Sequence, residues 1–239
     1  MQFERFIHET NGCVSKDQLV ETFEQALRRF GIDKFVYCLA RGSFATKKRP
    51  HHGLVRSYPE DWMKHYAQNN YIDLDPTYRY GLHTKGLFTW KDLDKIIPCS
   101  KKEKAVMREA EDAGLKNGIT ISIHGPYGEV IGFGFAGNDK KNELSKDELS
   151  LLYAAANQFH LAYTSLTEQA EAISIKLTDR QREILQWAAA GKSRSVISEI
   201  MAISEDTVDD HFRQIFKKLD CHDRIVAVLK AINLGLIRV

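Results

Sequence analysis

The stretch GITISIHGPYGEVIGFGFAG, residues 118–137, decides the fold. Two runs of β-branched and aromatic residues flank a Gly- and Pro-rich turn, the signature of a hairpin. Strand side chains alternate between faces. One face therefore carries Ile119, Ile121 and Ile123 beside Phe133 and Phe135, and the other carries Thr120 and Ser122 beside Gly132 and Gly134. The segment DKFVYCLA, residues 33–40, reads as a further strand with the same division: Phe35, Tyr37 and Leu39 against Val36, Cys38 and Ala40. A bulky apolar face needs a helical cover. A face of small side chains either receives a closely packed helix or leaves room for a ligand, and alternation alone favours packing.

Helical patterns surround these strands. A short one lies near Phe3–His8, and SKDQLVETFEQALRRFG (15–31) has Ser15 as a cap, Gly31 as a stop and a stripe of Leu19, Phe23, Ala26, Leu27 and Phe30. Pro59 and Pro76 favour helix starts in YPEDWMKHYAQNN and DPTYRYGL. KKEKAVMREAEDAGL is amphipathic and ends near Gly114, and a long pattern runs from Ser145 to about Thr167. The order predicts an α+β fold, with an α/β/α sandwich sensory domain built on a central antiparallel sheet. The apolar period breaks in EQAEAISIK, which places a linker at residues 169–175 between domains at 1–168 and 176–239. The second domain reads as four helices, 178–190, 193–201, 204–219 and 223–234, with Thr178, Ser193 and Ser204 at N-caps and Gly191 ending the first.

The bulk figures narrow the function classes. The chain has 239 residues, 43% hydrophobic and 28% charged, with a net charge of +2. No apolar run approaches a bilayer span, and the opening MQFERFIHETNG carries no secretion pattern. The four scattered cysteines (Cys13, Cys38, Cys99, Cys221) read as reduced thiols, so a cytoplasmic protein is expected, without metal or cofactor. From residue 176 onward 11 basic residues face 9 acidic ones, so DNA affinity would rest on charge placement rather than charge excess. An enzyme is the weaker alternative. His51 and His52 fall in a polar loop, KKRPHHG, with no nucleophile at a recognisable interval, and Cys38 has no assignable base.

The second and third C-terminal helices, separated by a very short turn, have the dimensions of a helix-turn-helix, although a helical dimerisation module would look the same. LTDRQREILQWAAAGKSRSVISEIMAISEDTVDDHFRQIFKKL (177–219) resembles the DNA-binding domain of the LuxR family in LT, R, EIL.W.A.GKS, SEI, ISE.TV..H and I..KL. The resemblance implies that the third helix enters the major groove and that the fourth contributes to a dimer. Gln181 stands where the family commonly has Glu, which puts a local hydrogen bond in question. On that helix Asp209 and Arg213 are expected at base edges, with cytosine N4 and guanine as their partners. Lys192, Thr207, Lys217 and Lys218 are expected on phosphates.

Residues 1–168 resemble the autoinducer-binding domain of quorum-sensing receptors, through SYPEDWMKHYAQNNYIDLDPTYRYGL, FTW and GLKNGITISIHGPYGE. The six hallmark positions are filled by Trp62, Tyr66, Asp75, Pro76, Trp90 and Gly118. Seen alone, Trp62 and Tyr66 are as well explained as core, and Asp75 as a helix cap. The joint pattern turns the small-faced sheet into an expected pocket for an N-acyl homoserine lactone. By resemblance, Trp62 donates to the lactone carbonyl, Asp75 accepts the amide N–H, Tyr58 donates to the acyl carbonyl, and Trp90 and Tyr66 wall the lactone. Thr77, Thr120, Gly134, Val36, Cys38 and Ala40 complete the lining. Asp75 is expected to be poorly satisfied in the ligand-free state, coupling ligand to fold. Gly134, where several relatives have Ser or Thr, and Met63, where some have Arg, remove polar groups; the small lining points to a medium or long acyl chain. The reading is a transcription regulator that binds the lactone, forms a homodimer on an inverted repeat of double-stranded DNA and contacts RNA polymerase. The alternative is the same build answering another small molecule, or none.

Overall fold

The computed structural model describes residues 3–42, 51–125, 128–137, 144–172 and 175–238, with backbone alone at 51–53, 56, 167–172 and 233. Its elements are α1 (Phe3–Asn11), α2 (Lys16–Arg28), β1 (Lys34–Arg41), β2 (His51–Arg56), α3 (Glu60–Gln68), α4 (Pro76–Gly81), β3 (Gly86–Thr89), α5 (Leu93–Ile96), α6 (Lys101–Asp112), β4 (Lys116–His124), β5 (Val130–Gly137) and α7 (Lys146–Ala172), followed by α8 (Asp179–Ala189), α9 (Arg194–Met201), α10 (Glu205–Leu219) and α11 (Arg224–Asn233). They form two compact units that divide at Leu166 and Thr167.

The first unit is an antiparallel sheet of order β2-β1-β5-β4-β3 between two helical layers. Register puts Phe35 beside Phe135 and Ile119, and Tyr37 beside Phe133 and Ile121. These bulky residues meet Leu19 and Phe23 of α2 and Leu152, Ala155 and Phe159 of α7 in the main core. Phe23 stacks on Phe159 at 4.4 Å and meets Phe35 edge-on at 5.4 Å, geometries that aromatic quadrupoles favour. The expected caps are present: Ser15 accepts from the Gln18 amide, and Gly31 ends the segment at φ 68°. On the opposite face α3, α4 and α6 supply the second layer.

Two local expectations change. His51 and His52, expected in a loop, begin β2, one of the sheet's two edge strands; residues 47–50 of that segment lie outside the described residues. A strand forms there because His51, Val55 and Arg56 pair with β1, Val55 opposite Tyr37 and His51 opposite Leu39 across an irregularity. The long helix α7 continues to Ala172, through part of the expected linker, because EQAEA consists of good helix formers. Residues 173 and 174, and Pro126 and Tyr127 of the hairpin turn, lie outside the described residues.

The second unit is the expected set of four helices, each within one residue of its predicted ends. Val208, Phe212, Ile215 and Leu219 of α10 are buried against Ile184 and Leu185 of α8, Ile197 of α9 and Ala227 of α11. The three residues between α9 and α10 turn on Ala202 at φ 52°, the left-handed conformation that closes a helix.

Candidate ligand cavity and nucleic-acid interface

The small face of the sheet is the floor of a cavity. Across β1, β5 and β4, Val36, Gly134 and Thr120 lie in one row, and Cys38, Gly132 and Ser122 in the next. Trp62, Met63 and Tyr66 of α3, Thr77 and Tyr78 of α4, and Val106, Met107 and Ala110 of α6 close over it. A cavity of about 70 Å³ remains. The alternatives of packing and pocket are therefore both realised: helices cover the face, and the missing side-chain volume stays open beneath them. All eleven residues expected to line a pocket border this one cavity.

The polar groups come from short anchored segments. The Ser57 amide donates to the Phe35 carbonyl (2.8 Å) and the Phe35 amide donates to Ser57 Oγ (2.8 Å), which pins the chain entering α3 to β1. The next residue, Tyr58, thereby sends its hydroxyl over Gly134. A Cβ at position 134 would lie 2.6 Å from that oxygen, so only glycine leaves room for it. The Tyr58 hydroxyl is buried and has no hydrogen-bond partner among the described residues. Burial first, then Asp75 and Cys38, raise its pKa well above the ordinary tyrosine value, so it is a neutral donor at physiological pH.

Asp75 is better satisfied than expected. Its Oδ1 accepts from the Thr77 amide (2.8 Å), the Thr77 hydroxyl (2.7 Å) and the Tyr78 amide (3.3 Å), and its Oδ2 accepts from the Tyr66 hydroxyl (3.0 Å). The physical reason is the cap. Pro76 begins α4 without an N–H, so the next two amides turn to the side chain of the residue before it. The expectation of a stranded carboxylate is thus overturned; at this cavity the buried group lacking a partner among the described residues is the Tyr58 hydroxyl. Oδ2, with one bond accepted, keeps lone-pair capacity toward the cavity.

Trp90 packs over Gly118, where a Cβ would come within 1.9 Å of the indole, and its Nε1 donates to Thr120 Oγ1 (2.9 Å). Its N–H is therefore already used, and Thr120 retains a hydroxyl proton to donate. Trp62 is buried, 5.9 Å from the Tyr66 ring, with its indole facing the same cavity. Burial pushes the Cys38 thiol up to about 12, opposed by a backbone hydrogen bond with Gly132, so it stays a neutral wall group and a poor nucleophile. The lining residues not expected from sequence include Tyr78 and Gly81 of α4, Val106, Met107 and Ala110 of α6, and Leu115. Amphipathy showed that α6 has an apolar side, but not that this side roofs the cavity.

On the second unit, the exterior of α10 carries Glu205, Asp206, Asp209, Asp210, Arg213, Lys217 and Lys218, four carboxylates against three cations. Asp209 lies on the outer side, as expected, but its Oδ2 holds Arg194 Nη1 at 2.6 Å. Asp210 pairs with Arg213 on the same helix. Thr207 takes part in the cap, its amide donating to Ser204 Oγ at 3.1 Å. Lys217 is exposed, as is Lys192 just ahead of α9. Lys218 is exposed as well, and its amine donates to the Lys176 carbonyl and to Gln181 Oε1, both at 2.8 Å. Gln181, 1% exposed, keeps the local hydrogen bond that was in question: its Oε1 accepts from the Thr178 amide and its Nε2 donates to Gln214. An amide serves because it both accepts and donates. Arg194 was not anticipated, since its partners lie 11 and 15 residues away on the next helix.

Comparison with known proteins agrees with both units. Residues 15–163 match the family described as "Autoinducer binding domain", and residues 176–231 match "Bacterial regulatory proteins, luxR family". The quorum sensing-dependent transcriptional regulator RpaR of Rhodopseudomonas palustris is 32% identical over 92% of this chain and 88% of its own length. The quorum-sensing regulator RhlR of Pseudomonas aeruginosa is 30% identical over 97% and 92%. The crystal structure of Escherichia coli SdiA shares the fold, with a TM-score of 0.79 and 22% identity over 99% of this chain and 98% of that one.

Proposed function

From the premise that the chain belongs to the LuxR family of autoinducer-binding transcriptional regulators, we propose that its cavity takes an N-acyl homoserine lactone. The observation that carries this reading is the Tyr58 hydroxyl, a buried donor without an acceptor on the wall of a largely apolar cavity. An acyl carbonyl supplies the missing acceptor. The amide N–H of the same ligand meets the remaining capacity of Asp75 Oδ2, and the Trp62 indole N–H meets the lactone carbonyl. The acyl tail runs over Val36, Cys38, Ala40 and Gly132, where Met63 and Met107 are flexible enough to yield space.

The ligand stabilises the folded first unit, the chain acts as a homodimer, and two copies of α10 enter the major groove about one turn apart on an inverted repeat. Lys192, Thr207 and Lys217 lie on or beside that helix and supply contacts directly, whereas Arg213 and Lys218 do so on exchanging their present partners for DNA, with RNA polymerase as the downstream partner. No enzymatic step is assigned: the Cys38 thiol is held neutral, and the family is made up of regulators. A thermal-shift panel of lactones with acyl chains from butanoyl to dodecanoyl tests the reading. At a concentration 100 times Kd a matching lactone adds about 2.7 kcal/mol. Stabilisation by none of them overturns it, and in that event the cavity answers another small molecule or none.

A further inference from the structure

The recognition helix of this chain is electrostatically unsuited to a polyanion on its own, with four carboxylates against three cations. Two of those cations are engaged elsewhere, Lys218 by Lys176 and Gln181 and Arg213 by Asp210. A fourth cation comes from the preceding helix. Arg194, the first residue of α9, reaches over the opening turns of α10, where Nε and Nη2 meet Glu205 Oε2 at 2.7 and 2.6 Å and Nη1 meets Asp209 Oδ2 at 2.6 Å. Glu205 and Asp209 are four residues apart, on one face of α10, and Arg213 continues that face. The guanidinium is therefore carried onto the face of α10 that the proposed function turns toward DNA, held from two sides and still half exposed.

We propose that Arg194 reads a guanine from α9, with Glu205 and Asp209 as the positioning residues that hold its guanidinium. The chemistry favours a base edge over a phosphate. Two carboxylates and one guanidinium carry one net negative charge, which a phosphate repels, whereas the G·C pair presents guanine O6 and N7 to the arginine and a cytosine N4 donor to a carboxylate. Arginine holds several N–H groups in a planar fork, so bonds to carboxylates fix its plane while its outward N–H groups stay available. Asp209 thus acts chiefly through Arg194.

This rests on the DNA-binding role proposed for α10, and the test separates the two. The full chain, produced with a mixture of butanoyl to dodecanoyl homoserine lactones, is used to select sites from a random duplex library, alongside Arg194→Ala, Arg194→Lys and Asp209→Ala, with thermal midpoints as the folding control. The expected result is one G·C pair in each half-site whose preference falls roughly 5- to 150-fold in Arg194→Ala and in Arg194→Lys. Asp209→Ala blurs that same pair and no other, at an unchanged midpoint. Unaltered base preference in Arg194→Ala, with weaker binding to every duplex and recovery in Arg194→Lys, would make Arg194 a phosphate contact and overturn the proposal. A different base pair affected in Asp209→Ala would overturn the positioning role. If the wild-type chain enriches no site, the DNA-binding reading fails and the proposal with it.

Discussion

Tyr58→Phe is expected to strengthen the ligand-free protein while weakening its response to ligand. The hydroxyl is buried without a partner, 2.6 Å from where a side chain on Gly134 would begin. A buried polar group left unsatisfied costs about 1–3 kcal/mol, and phenylalanine removes it while keeping the ring. Taking the lower end, the ligand-free chain gains ~1 kcal/mol, a rise of about 2–4 °C in Tm for a chain of this size. With ligand bound the balance reverses, because the acyl carbonyl then sits buried without its donor. A tenfold loss of affinity follows from about 1.4 kcal/mol. At a lactone concentration 100 times the wild-type Kd, the stability increment falls from about 2.7 to about 1.4 kcal/mol. Urea unfolding of both proteins, with and without the lactone that gives the largest wild-type shift, measures all four quantities. A ligand-free variant less stable than wild type, or an unchanged ligand increment, would refute the assignment of Tyr58 as the unpaired donor.

Removing Asp75 has an effect even without ligand: Asp75→Ala loses the cap of α4 and the hydrogen bond that the Tyr66 hydroxyl donates to it, a loss of about 2 kcal/mol in urea unfolding of the ligand-free chain. Asp75→Asn keeps Oδ1 for the cap and lets Tyr66 accept from the amide, so it retains most of that stability. Gly118→Ala drives a Cβ into the Trp90 indole and costs about 3 kcal/mol or expels the ring, which tryptophan fluorescence detects. Cys38 gives a pH signature. Its folded pKa of about 12 exceeds the ordinary 9.0, so the folded state holds the proton more tightly. Its contribution is complete below pH 9 and falls by about 1.4 kcal/mol per pH unit above it. In urea unfolding across pH 8 to 10, Cys38→Ala removes that slope; an unchanged slope would assign the loss to other groups.

The first unit was legible because its sheet obeys alternation so strictly. Val36, Cys38 and Ala40 on β1, Thr120 and Ser122 on β4, and Gly132 and Gly134 on β5 form a small face readable from the sequence, and register then joins them in rows. The helical unit was legible because Thr178, Ser193 and Ser204 mark its starts. What escaped depends on separations that no local period encodes. The roof formed by α6, the pairing that makes a strand of residues 51–56, and the reach of Arg194 to Glu205 and Asp209 are all tertiary. Asp209 was placed on the outer side of α10 from sequence, and Asp210 meets Arg213 within the same helix, but Arg194, the partner of Asp209, lies 15 residues away on α9.

The same distinction relocates the coupling between ligand and fold. From sequence, Asp75 stands out because a buried carboxylate is the costlier group, and an empty pocket should leave it stranded. But an aspartate before a proline is also the acceptor that a helix start requires, and α4 fills it with bonds whether or not a ligand is present. The carboxylate is therefore part of the ligand-free fold, and a ligand amide adds to a group already held in place. Tyr58 is the opposite case. Its backbone neighbour is pinned to β1, its ring is directed over Gly134, and none of the described residues accepts its proton. Ligand binding stabilises the fold most where the fold is left incomplete. That point lies on a hydroxyl that a glycine on β5 leaves room for, so under the proposed function a side chain at position 134 is expected to displace Tyr58 and reduce the stability gained from the lactone in a thermal-shift measurement.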